Sequence, residues 1–99
     1  MARILVNSEE VGTVDGDGNI IMNGKKVGKV NNDGRVYKDD IMIGFVDRVG
    51  RVVRDDLMIG NIGRIGNVCK DFNMVGKIEG DSWFDLRAGA AALLLFPEP

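Results

Sequence analysis

A β-branched residue followed by glycine recurs every 16 residues along this chain, at Val11-Gly12, Val27-Gly28, Ile43-Gly44, Ile59-Gly60 and Val75-Gly76. Fixed-period self-similarity is the signature of a fold assembled from copies of one small unit. Each copy adds a second β-branched residue three positions on (Val14, Val30, Val46, Ile62, Ile78). A turn ending in Gly18, Gly34, Gly50 or Gly66 follows in four of them, and two residues later comes Ile20, Val36, Val52 or Val68. The first ten residues fit as the back half of a preceding unit, with Ile4 at the place of Ile20.

Two turns per unit imply two short strands. Asp15-Gly16-Asp17-Gly18 and its copies read as four-residue loops closed by glycine. Asn23-Gly24 is a strong signal for a two-residue hairpin turn, and Asp39-Asp40 and Asp55-Asp56 stand at its place. Five hairpins are therefore predicted, over about 3–14, 19–30, 35–46, 51–62 and 67–78. The two-residue loop pairs Ile20 with Val27, and likewise Ile4 with Val11, Val36 with Ile43, Val52 with Ile59 and Val68 with Val75, on one face. It sets the repeated glycines opposite Arg3, Asn19, Arg35, Arg51 and Asn67, and glycine inside a strand marks a bulge or a close backbone approach. A lone hairpin is barely stable in water. Closing five into a ring buries one apolar face and removes the open edges. The rival is an open solenoid.

After Ser82, which replaces the turn glycine, the pattern changes. Ser82-Trp83-Phe84-Asp85 fits a capping box. The Ala- and Leu-rich run that follows predicts a helix over 83–96, stopped by Pro97 and about 21 Å long. It is apolar nearly all round, so it needs burial or lipid. Ala88, Gly89, Ala90, Ala91 and Ala92 suit a narrow channel. The expected fold is mainly β: five hairpins in a closed, shallow, pseudo-fivefold barrel, one domain over 1–99, with the helix filling or capping its centre. Leu93, Leu94, Leu95 and Phe96 are then core contacts, or alternatively a foot in lipid.

The unit Val-Gly-x-Val-Asp-x-x-Gly-x-Val-Tyr-x-Asp-Asp, approximated by residues 27–40 and their copies, resembles the β-flower proteins, small bacterial proteins with hairpin petals around a centre. The resemblance covers residues 1–80, and the Ala/Leu-rich tail fits it. It implies a miniature of the tubby C-terminal fold, a barrel filled by a hydrophobic helix, whose relatives include phosphoinositide binders and scramblase-like proteins. It implies no site residue, since the family has no established activity.

Little in the chain points to chemistry. There are 13 basic and 15 acidic residues, so nucleic acid is not an expected partner. Histidine, the commonest general base and metal ligand, does not occur. Asp15, Asp17 and Asn19 alternate like the start of a calcium loop but lack the later glutamate, so turn chemistry explains them better. The spacing of Gly60, Gly63 and Gly66 follows from the repeat and lacks the Lys-Ser/Thr of a phosphate loop. Cys69, the single cysteine, reads as a buried structural thiol, and its solitude fits a reducing, cytoplasmic setting. The N-terminal apolar run is too short for a signal peptide, and no stretch suits a membrane-spanning helix.

Two sets of residues are left as interaction candidates. Lys38, Asp39, Asp40, Arg54, Asp55, Asp56, Lys70 and Asp71 would ring the petal tips as a mixed-charge rim. Met42, Met58 and Met74 sit opposite Tyr37, Val53 and Cys69 and read as core. Sugar- or choline-binding repeats would need an aromatic in every unit, which is not the pattern here. No enzyme, metal or cofactor is expected. The expectation is a non-enzymatic binding module with a peripheral membrane association, the alternative being a structural or self-assembly module that offers its rim to a protein.

Overall fold

The computed structural model describes residues 1–96. Ten strands come as five antiparallel hairpins: β1 (Ala2–Val6) with β2 (Glu9–Val14), β3 (Asn19–Met22) with β4 (Lys25–Val30), β5 (Arg35–Lys38) with β6 (Ile41–Val46), β7 (Arg51–Arg54) with β8 (Leu57–Ile62), and β9 (Asn67–Lys70) with β10 (Asn73–Gly80). Each hairpin also pairs with the next, and β10 returns to β1, which closes the barrel. The helix α1 spans Trp83–Leu95. Pro97, expected to stop it, lies outside the described residues.

The two kinds of turn lie at opposite ends. In the four-residue loops the glycine amide bonds back to the first residue, as from Gly34 to the Asn31 carbonyl at 3.1 Å. Gly34 has φ +89°, and a Cβ there would overlap the Val46 carbonyl, so the loop needs glycine. The two-residue turns have positive φ at both central positions in every hairpin, from Asn7 and Ser8 to Asp71 and Phe72. That is the turn whose twist matches paired strands.

The expected hairpin register holds near the turn and then fails. Met22 pairs with Lys25 and Ile21 with Lys26, but Ile20 pairs with Gly28, leaving Val27 as the extra residue of a bulge. The same slip leaves out Val11, Ile43, Ile59 and Val75. So the five β-branched pairs predicted within hairpins do not form. The glycines face Ile4, Ile20, Val36, Val52 and Val68, not Arg3, Asn19, Arg35, Arg51 and Asn67. The physical reason lies inside the barrel. A Cβ at Gly28 would overlap the Phe96 ring and the Tyr37 carbonyl, so no side chain fits opposite Ile20. The bulge moves Val27 off that position and bends the strand.

The apolar pairs form between hairpins instead: Val14 with Ile20, Val30 with Val36, Val46 with Val52, Ile62 with Val68, and Ile78 with Ile4. All ten side chains are fully buried. Each such burial contributes about 1.5–3 kcal/mol.

The helix runs inside this ring from the loop end to the tip end. Ser82 caps it, its Oγ accepting from the Asp85 amide at 3.0 Å. Trp83 Nε1 donates to the Arg48 carbonyl in a four-residue loop at 2.8 Å, and the Arg64 guanidinium lies 4.2 Å over the indole. Ala88, Ala90, Ala91 and Ala92 have no exposed surface, which is how a helix fits within ten strands. At the far end four successive residues each fill the space of one glycine: Leu93 at Gly76, Leu94 at Gly60, Leu95 at Gly44 and Phe96 at Gly28. Met22 fills the fifth, at Gly12. Thus Leu94 and Leu95 belong to the core, and Leu93 and Phe96 pack against it partly buried. Among the described residues no helix is long and apolar enough to cross a membrane.

Candidate functional site

Large apolar side chains stand exposed at both ends, Val49 and Ile65 singly in the four-residue loops and six more gathered at the tips. Between hairpins the ladder is short: β4 and β5 pair only at Lys29–Tyr37 and Val30–Val36. The ladders of β6 with β7 and β8 with β9 are equally short, whereas the Asn23 amide of the second turn donates to the Val11 carbonyl of the first hairpin at 3.1 Å. The helix fills the middle and leaves the outer tip residues without cover.

The side chains there are strongly apolar on three hairpins. Ile41 and Met42, Leu57 and Met58, and Met74 are 46–68% exposed, and Phe72 is fully exposed. Met42, Met58 and Met74 do lie opposite Tyr37, Val53 and Cys69, as the sequence implies. They are nevertheless not core, because the bulge puts that part of each hairpin outside the filled ring. Cys69 is likewise only partly buried. Between the last two hairpins Met58, Cys69 and Phe72 line an open groove of about 510 Å³. At the mouth of the barrel Lys25, Lys38 and Arg54 surround a depression of about 810 Å³ floored by Leu95 and Phe96.

Phe72 is the exceptional residue. It has φ +68°, in the left-handed region, where the equivalent residues are Ser8, Gly24, Asp40 and Asp56. Aspartate and glycine tolerate that backbone, whereas a bulky aromatic pays about 1–3 kcal/mol of strain. Nothing in the fold is gained in exchange, since the ring touches no core. The sequence contained this signal, an aromatic at a turn position that demands positive φ, and pattern reasoning passed over it.

The rim charges expected at the tips are there. Lys38, Asp39, Asp40, Arg54, Asp55, Asp56, Lys70 and Asp71 are all exposed. No ion pair joins any of them to another described residue, whereas Glu10, just past the first turn, is paired with Arg3, which also pairs with Glu79. The positions that follow each turn vary in a regular way around the ring. They are Glu9-Glu10, Lys25-Lys26, Ile41-Met42, Leu57-Met58 and Asn73-Met74: one acidic pair, one basic pair, two apolar pairs and a fifth station in which Met74 stands beside Asn73 and follows Phe72.

The loop end is different in kind. Asp15 does not face outward as a cation ligand. Its Oδ1 accepts from the Asp17 and Asn19 amides, both at 2.9 Å, and its Oδ2 from the Asn19 side chain at 3.0 Å. The Asn19 side chain, more than any other cause, holds its carboxyl below the usual range. Asp47 repeats the arrangement with Arg51, whose amide and Nε lie at 2.8 and 2.7 Å. Burial pushes the Asp47 carboxyl up, but the hydrogen bonds from Arg51 and Val49 and the Arg51 charge outweigh it and leave it lowered. These carboxylates organise turns, as turn chemistry predicts. Gly63 and Gly66 belong to one such loop, bonded to each other at 3.0 Å, whereas Gly60 lies on β8 under Leu94. They form no common cradle. Among the described residues no three potential metal ligands cluster.

The chain matches no known family model, no curated protein and no solved structure, so the tip face is read from its own geometry.

Proposed function

We propose that this protein is a non-enzymatic interaction module that docks on a partner through the petal-tip face. One observation carries this: six large apolar side chains stand exposed at one end of a barrel whose interior is already filled. Large apolar side chains gathered at one end, with Met58 and Phe72 lining a common groove, suit an interaction site. Methionine and aromatic side chains are also what such surfaces are enriched in. Phe72, held in a strained turn with its ring in solvent, is the anchor.

A protein surface suits this face better than an anionic bilayer. Juxtaposed with the apolar residues are seven carboxylates, at Glu9, Glu10, Asp39, Asp40, Asp55, Asp56 and Asp71, against five cations at Lys25, Lys26, Lys38, Arg54 and Lys70. Anionic lipid attracts a basic excess, and the excess here is acidic.

A photo-reactive phenylalanine at position 72, or at position 65 in a four-residue loop, tests the face in cells making the protein. Covalent adducts at 72 and none at 65 are expected. Equal labelling at both ends, or labelling only at 65, would remove the tip face from consideration.

A further inference from the structure

Resting on the tip-face reading, we propose that the partner is a second copy of this chain, bound tip to tip about a two-fold axis lying in the interface. The argument is the order of charges around the ring. The hairpins follow one another in sequence around the closed barrel. Just past their turns they carry an acidic pair (Glu9-Glu10), a basic pair (Lys25-Lys26), and then apolar residues on the third, fourth and fifth.

A two-fold axis parallel to the face reverses the cyclic order of the second copy. Place the first hairpin of one copy over the second hairpin of the other. Symmetry then places the second over the first, the third over the fifth, and the fourth over itself. Both acidic pairs meet basic pairs, the fourth station meets its own copy, and Ile41 and Met42 of the third meet Phe72 and Met74 of the fifth. An isologous contact needs this kind of self-complementarity. Most other registers of the ring put the acidic or basic pair over apolar side chains. The remaining acids do not spoil the match, because Arg54 at the two-fold can face the partner copy's Asp55 and Asp56, and the Lys38 and Lys70 hairpins exchange charges in the same way.

Size agrees. The barrel is 30 Å across. A face of that width has an area of about 700 Å², near the roughly 800 Å² per partner of a standard stable interface. Leu57 then lies close to the axis with its own symmetry mate, while Phe72 packs toward the partner copy's Ile41 and Met42.

Charge reversal gives a decisive test on the full chain by sedimentation equilibrium. The wild type is expected to form a dimer. Glu9→Lys with Glu10→Lys makes both stations basic, while Arg3 keeps Glu79, 2.6 Å away. Lys25→Glu with Lys26→Glu makes both stations acidic. Each variant alone should dimerise at least about tenfold more weakly, since like charges now meet across the interface. An equimolar mixture should recover the dimer, because the basic pairs of one then face the acidic pairs of the other. Circular dichroism establishes that both variants are folded. A mixture that associates no more tightly than its components overturns the arrangement, as does a wild type that stays monomeric or that instead floats with phosphatidylcholine vesicles. Leu57→Asp separates the two levels of the argument. If it abolishes association while the mixture fails to recover it, the two-fold arrangement falls and tip-face docking stands. If it changes nothing, both fall.

Discussion

At the scale of single residues, one backbone position of positive φ holds serine, glycine or aspartate in four copies and an exposed aromatic in the fifth. The second turn residue has φ between 64° and 82° in the four hairpins where it is serine, aspartate or glycine, and 68° at Phe72. Phe72→Asn should therefore stabilise the fold by about 1 kcal/mol, read as a higher melting temperature, while weakening association. A stability loss on this substitution would mean that the ring supports the fold after all. Asp47 shows the opposite use. Asp47→Ala removes the acceptor for the Val49 and Arg51 amides and should cost about 1 kcal/mol. The folded carboxyl lies below its ordinary value near about 4. Its contribution is therefore complete above that range and is lost as pH falls through the lowered folded value. Asp47→Asn keeps one acceptor oxygen, as Asn31 does for Arg35 at 3.0 Å, and should flatten this part of the acid-denaturation curve. The loop aspartates were legible from turn chemistry. The exposure of Met42, Met58 and Met74 was not, because a hydrophobic residue in a hydrophobic pattern reads as core until the bulge is known.

Among the elements, the glycines of the even strands and the last residues of the helix form one device. Gly60→Ala would put a Cβ 2.6 Å from both the Cys69 carbonyl and Leu94 Cδ1. Backbone cannot yield there as a side-chain end can, so a loss of about 1–3 kcal/mol is expected in chemical denaturation. Leu94→Ala empties the same space from the other side and should cost about 2–5 kcal/mol. Because both residues address one site, the double variant should lose less than the sum of the two. Strictly additive losses would show that they do not share it. The sequence disclosed the hairpins, both turn types and the helix with its Ser82 cap. It misplaced the pairing of Ile20, which faces Gly28 and stacks with Val14 of the preceding hairpin. Turn chemistry sets register only near the turn. The slip at Val27 answers to Phe96, far away in sequence, and such a long-range demand leaves no local mark.

For the molecule as a whole, filling the barrel with its own helix decides where function can lie. Among the described residues the helix fills the interior, the loop end is organised by Asp15, Asp47 and Trp83 with Val49 and Ile65 exposed singly, and the tips hold six of the large apolar residues that packing does not use. The methionines show why this was hidden: Met22 is 6% exposed and Met58 is 56% exposed. Met22 precedes its turn, at the place of Lys38, Arg54 and Lys70, and fills the space at Gly12 that the four large end residues of the helix leave, whereas Met58 follows its turn and finds no such space. Methyl NMR over a concentration series examines the claim that the tips are the working face. Resonances of Ile41, Leu57, Met58 and Met74 should shift or broaden together as concentration rises, while those of Val49 and Ile65 at the loop end stay fixed. Movement confined to Val49 and Ile65, or no movement at either end up to millimolar protein, would contradict it.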